Sequence, residues 1–158
     1  MLPMKNQISP LEVGLCVKNL QAMISFYTET LGFELISEID VPPDKSGSAG
    51  FCSTGYRIVR LQSGYGERLK LVRPVEFKGT SHSNNMVLDR PGNVFLTFIV
   101  SDLNNIVAKL KSAELDILTA NDICEVREGV YLTNARDPEG NFLEFVEYLD
   151  LSTYRSDL

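Results

Sequence analysis

Residues 11–18, LEVGLCVK, alternate in hydropathy. Val13, Leu15 and Val17 fall on one face, and Glu12, Gly14 and Cys16 on the other, the two-residue period of a half-buried strand. Asn19 follows in an N-cap position, and Leu20, Ile24, Tyr27 and Leu31 form a helical stripe that Gly32 stops. A second strand is predicted over Phe33–Ile39, and a hairpin over Tyr56–Leu61 and Arg68–Val72, turning at SGYGE. Between them VPPDKSGSAGFCSTG, 41–55, is rich in Pro, Gly and Ser and reads as a mobile loop.

The same succession then returns. Laying Glu12 on Phe95 also lays Val17 on Val100, Asn19 on Asp102, Leu20 on Leu103 and Leu35 on Leu118. Phe95–Val100 restarts the strand pattern, and Asp102 caps a helix whose buried stripe is Leu103, Ile106, Val107 and Leu110. Ile117 and Leu118 begin the next strand, and Val130–Ala135 and Phe142–Tyr148 form a last hairpin joined by DPEGN, where Pro presets φ and Gly supplies a positive φ. Self-similarity of this kind implies repeated structural units. The expected architecture is α+β: one domain of two paired βαβββ modules, 10–74 and 95–149. A linker covers 75–94 and a C-terminal tail 150–158.

The 158 residues suffice for a real core, and 44% hydrophobic with 23% charged residues is ordinary for a globular chain. A net charge of −6 argues against nucleic acid as a partner, which needs basic surface to displace counterions. No apolar stretch approaches the roughly 20 residues that span a bilayer, and MLPMKNQISP lacks the apolar core of a secretory signal. Cys16, Cys52 and Cys124 are odd in number and lack metal-site spacing, so reduced thiols and a cytoplasmic setting are expected. His82, the sole histidine, lies in the linker and excludes a multi-histidine metal site within one chain.

EVGLCVKNLQAMISFYTETLGFEL, RLKLVRP, FLTFIVSDL and DPEGNFLEFVE together resemble the vicinal oxygen chelate superfamily, across about residues 10–149. That group includes lactoylglutathione lyase, methylmalonyl-CoA epimerase, fosfomycin-resistance enzymes, bleomycin-resistance proteins and extradiol dioxygenases. The resemblance implies that the two modules form a cup-shaped, partly open barrel, with paired cups enclosing a metal, and a homodimer. Its four ligand positions fall on Glu12, Lys70, Phe95 and Glu144. Phe95 has no lone pair, and an ammonium at Lys70 repels a cation. The expectation is therefore a retained fold with no cofactor. A divalent metal held by Glu12 and Glu144 with waters or substrate oxygens remains a further reading.

Strand alternation supplies a cup lining of its own. Glu12, Gly14 and Cys16, then Lys70, Phe95, Thr97, Ile99, Phe142, Glu144 and Val146 share the lining parity. Ile58 joins them, and Arg60 and Arg68 either face the cup or turn to solvent. Two roles suit Glu12, Lys70 and Glu144. They form a salt-bridged triad in which Lys70 replaces the metal's charge, or a proton-transfer centre with one Glu as base and Lys70 stabilising an oxyanion. The substrate-binding set is Phe95, Thr97, Arg60, Arg68, Phe142, Cys16 and Ile58. The functional expectation is a metal-independent lyase or isomerase of a small carbonyl- or carboxylate-bearing molecule. Two alternatives stay open: a metal-free binding protein for an anionic or aromatic ligand, and a metal-dependent enzyme with substituted ligands.

Overall fold

The computed structural model describes residues 7, 9–77, 79, 87–89 and 92–158. His82 and half of the expected linker lie outside the described residues. The chain divides into two compact units, 1–80 and 81–158, the boundary falling inside that linker. Each unit is a four-stranded mixed sheet with a helix on one face. Neither sheet closes on itself, in keeping with the α+β, partly open architecture expected of the two βαβββ modules.

In the first unit the order is β1 (Glu12–Cys16), α1 (Leu20–Ser25), β2 (Glu34–Val41), α2 (Pro43–Ser48), β3 (Tyr56–Gln62) and β4 (Arg68–Pro74). The sheet order is β1-β4-β3-β2, with β1 parallel to β4 and the other pairs antiparallel. Asn19 caps α1 as expected, its side-chain oxygen accepting from the Ala22 amide. The helix does not run on regularly. Phe26–Thr30 is a π-helical turn, in which the Leu31 amide donates to the Phe26 carbonyl. Of the expected stripe only Tyr27 is buried, together with Met23 and Phe26, while Leu20, Ile24 and Leu31 are half-buried. Tyr27 meets both Phe26 and Phe33 edge-on. With Val17, Val59, Leu61, Leu69 and Leu71 these residues form the core of the unit. Each such side chain contributes on the order of 1.5–3 kcal/mol by leaving water.

The segment expected to be a mobile loop is ordered. Pro43 sits in the first turn of α2, where its missing N–H costs nothing, so the composition misleads. Ser46 is fully buried; its hydroxyl lies 3.0 Å from the Cys52 sulfur and accepts from the Cys52 amide. Gly55 closes the segment at φ +80, and a Cβ there would stand 2.7 Å from the Val41 carbonyl oxygen. The hydrogen bond from Ser46, foremost among several, holds the Cys52 thiol below its ordinary pKa.

The second unit repeats the plan with β5 (Phe95–Ile99), α3 (Leu103–Ser112), β6 (Cys124–Arg127), β7 (Val130–Arg136) and β8 (Phe142–Tyr148), ordered β5-β8-β7-β6. Asp102 caps α3 through the Asn105 amide, and Glu147 on β8 accepts from the Leu103 amide. Leu103, Val107 and Leu110 are buried over Leu143, Phe145 and Ala135; Ile106 is only half-buried. Ile117 and Leu118 do not open a strand. They make a lone bridge to β7, and left-handed Asn121 and Asp122 then break the extended run, so pairing resumes only at Cys124. The DPEGN turn has Gly140 at φ +86, as expected. It is organised by buried Asp137, whose Oδ1 accepts the Glu139 and Asn141 amides and whose Oδ2 accepts from the Asn141 side chain. In the tail, a short 3-10 turn over Leu151–Thr153 lets Tyr154 stack on Tyr148. No described helix is long and apolar enough to cross a membrane.

Asp137→Ala removes a buried acceptor from three donors and is expected to cost about 2–3 kcal/mol in urea unfolding. Ser46→Ala takes away the main interaction favouring the Cys52 thiolate. Its alkylation-versus-pH curve, followed by mass spectrometry of the Cys52 peptide, should therefore shift to higher pH, and the peptide should be modified several-fold more slowly near neutrality.

Candidate functional site

Each sheet has one face under its helix and one turned away from it. On the second face, pairing register decides which side chains meet. In the first unit Glu12 lies beside Arg68, Gly14 beside Lys70 and Cys16 beside Val72; across the antiparallel pair Lys70 faces Arg60, Arg68 faces Gln62 and Val72 faces Ile58. Both arginines left open by the sequence thus share the face of Lys70. Glu12 pairs with Lys70 at 4.0 Å, each side chain one-third exposed. The Lys70 stem crosses Gly14, its Cε 4.0 Å from where a Cβ would stand. Arg60 donates to Ser37 Oγ at 3.3 Å, and Arg68 donates to Gln62 Oε1 at 2.8 Å. Ile58 is buried in this layer, and Cys16 is exposed at its rim.

In the second unit Phe95 lies beside Phe142, Thr97 beside Glu144 and Ile99 beside Val146, while Phe142 faces Arg136 and Glu144 faces Asn134. The Thr97 hydroxyl donates to Glu144 Oε2 at 2.6 Å. Phe142 is buried beneath the Arg136 guanidinium, 4.3 Å from the ring centroid, and Phe95 is 44% exposed. Tyr131 falls on the helix side, where a hydrogen bond to Glu125 raises its pKa; Tyr56 packs against Phe51.

Structure adds Ser37, Gln62, Asn134 and Arg136 to the residues picked from sequence. Asn134 and Arg136 were within reach of alternation, counted back from DPEGN to the partner of Glu144. Ser37 was not, because it depends on a register shift in β2 between Leu35 and Ser37. Matching strands by the repeat sets Lys70 against Glu144, Arg60 against Asn134, Glu12 against Phe95 and Arg68 against Phe142. One face is cationic, the other aromatic and acidic.

The four positions that would hold a metal do not suit one. Lys70 supplies a cation 4.0 Å from Glu12, Phe95 supplies hydrocarbon, and Glu144 is bonded to a hydroxyl. Among the described residues no group of three His, Cys, Asp or Glu comes close enough to hold an ion. Two carboxylates alone leave most of a divalent cation's coordination to water.

Solved structures with this fold include a glyoxalase family protein from Bacillus cereus, with 21% identity, a TM-score of 0.77, and coverage of 93% of this chain and 99% of that one. A glyoxylase/bleomycin resistance protein/dioxygenase domain from Frankia sp. has 18% identity and a TM-score of 0.69, over 91% and 95% of the two chains. The trypanothione-dependent glyoxalase I of Leishmania major has 25% identity and a TM-score of 0.62, over 89% and 87%. No protein of curated function matches the sequence. The family model for the Glyoxalase/Bleomycin resistance protein/Dioxygenase superfamily matches residues 9–145. With the duplicated βαβββ order and the strand register above, this chain belongs to that superfamily.

Proposed function

We propose that this chain is a metal-independent lyase or isomerase acting on a small carbonyl- or carboxylate-bearing molecule. The observation that carries the reading is the Glu12–Lys70 pair on the helix-free face, with Arg60 and Arg68 in adjoining registers. Glu12 accepts the proton from the carbon next to the carbonyl. The Lys70 ammonium donates to the oxygen on which negative charge develops. Return of the proton to that carbon gives an isomer, and loss of a group from the next carbon gives a lyase product. Arg60 and Arg68 hold the substrate's anionic end. Glu144, which accepts from Thr97 and stands at the position equivalent to Lys70 in the second module, is the other candidate base. Ile58 and Cys16 contribute binding surface on the face of Lys70, and Phe95, Thr97 and Phe142 do so on the helix-free face of the second unit. Self-association into a homodimer fits the apolar edge strand β2, where Leu35, Ile36 and Ile39 are exposed.

The pair is built for chemistry more than for stability. At 4.0 Å and one-third exposure, an ion pair contributes about 0–1 kcal/mol. Lys70→Met should therefore move the urea midpoint by less than about 1 kcal/mol of stability. A larger loss favours the purely structural salt bridge.

Turnover is tested by proton exchange. The chain is incubated in D2O with a panel of 2-oxo and 2-hydroxy acids and aldehydes, and carbon-bound deuterium is followed by NMR. Glu12→Gln should slow exchange about 10²–10⁴-fold, and Lys70→Met about 10²–10³-fold. Loss in Glu144→Gln alone moves the base to the second module. Binding without exchange in any variant or in the wild type leaves a metal-free binding protein.

A further inference from the structure

The β3–β4 pair treats its arginines in two ways. On the helix side Arg57 is neutralised in full: Nε and Nη2 donate to the two carboxylate oxygens of Asp40, each at 2.8 Å. On the other face Arg60 and Arg68 are held only by neutral groups, the Ser37 hydroxyl and the Gln62 amide oxygen. No described carboxylate of this unit lies within ion-pair range of either. A neutral partner fixes a guanidinium's position and leaves its charge in place. Arg60 also stands directly across from Lys70 in the antiparallel register, and like charges so placed destabilise a sheet. Among the described residues the one ion pair these three cations make is that of Lys70 with Glu12, at 4.0 Å.

The supporting details converge on Arg60 and Lys70. The irregularity in β2 brings Ser37 opposite Arg60, the re-aiming that bulges accomplish beside sites. Lys70 lies beside Gly14 of β1, its Cε 4.0 Å from where a Cβ there would stand. Arg68 sits one register step along, so three cations line one patch. A monoanion balances only part of that charge.

The geometry points to a dianion subsite formed by Arg60 and Lys70 with Arg68 at its margin. The molecule bound there carries a doubly charged oxyanion end, a phosphate monoester or a pair of adjacent carboxylates. A planar guanidinium receives two oxygens at once, and the ammonium a third. The inference rests on the reading that this face receives the substrate. It goes further in naming what the substrate must carry.

The test is calorimetric binding of inorganic phosphate, malonate and acetate to the full chain at low ionic strength. Phosphate or malonate should bind saturably and at least about tenfold more tightly than acetate. Tighter phosphate identifies a phosphate monoester, and tighter malonate a dicarboxylate. Arg60→Gln should weaken the dianion about tenfold or more, and Ser37→Ala, which only loosens Arg60, a few-fold. Arg57→Gln on the opposite face should change nothing. Dianions no tighter than acetate overturn the subsite, as does equal loss in Arg57→Gln and Arg60→Gln. If Arg60→Gln does not fold, Ser37→Ala decides, and unaltered binding in it overturns the assignment. The assay needs no turnover, so its failure leaves Glu12 and Lys70 as the proton-transfer pair, and failed exchange leaves the subsite standing.

Discussion

Parallel pairing of each module's first strand with its last is the constraint on which the rest depends. A parallel partner needs a crossover, and the crossover here is the helix-bearing stretch that packs on one face of the sheet. Once α1 covers Leu61, Leu69 and Leu71, every second residue of β1, β3 and β4 is committed to the opposite face. Glu12, Arg60, Arg68 and Lys70 are brought together in this way from three strands. The pattern holds again in β5, β7 and β8 for Phe95, Thr97, Asn134, Arg136, Phe142 and Glu144.

Labour is divided by face as a result. Tyr27, Met23 and Phe145 are wholly buried under the helices, where burial is worth most. Apart from buried residues such as Ile58, Phe142 and Val146, the helix-free faces hold side chains at least partly open to solvent, several of them joined by single hydrogen bonds. Positions equivalent by the repeat carry unlike chemistry, Lys70 against Glu144 and Glu12 against Phe95. The scaffold accommodates either because neither residue belongs to a core.

Much of this was legible in the sequence for a physical reason: strand alternation and helix capping are local. Asn19, Asp102, the DPEGN turn and the lining parity of Glu12, Lys70 and Glu144 needed no tertiary information. What escaped depends on longer-range geometry. The π-helical turn at Phe26–Thr30 leaves no mark in the periodicity of the letters. A buried serine orders the Pro- and Gly-rich segment before Gly55, although its composition signals a loop. The β2 irregularity that brings Ser37 to Arg60 leaves no trace in hydropathy. Ile117 and Leu118 have strand residues but adjoin two left-handed positions.

The lysine lying across Gly14 has a consequence for how such a face changes over time. A partly exposed residue beside a glycine and paired with a loosely held carboxylate can be exchanged at little cost to folding. Its replacement by a metal-binding side chain, or the reverse, is a nearly neutral step on the way to a different reaction. Lineages built on this sheet can therefore wander between chemistries one strand position at a time, with the hydrophobic layer beneath acting as ballast.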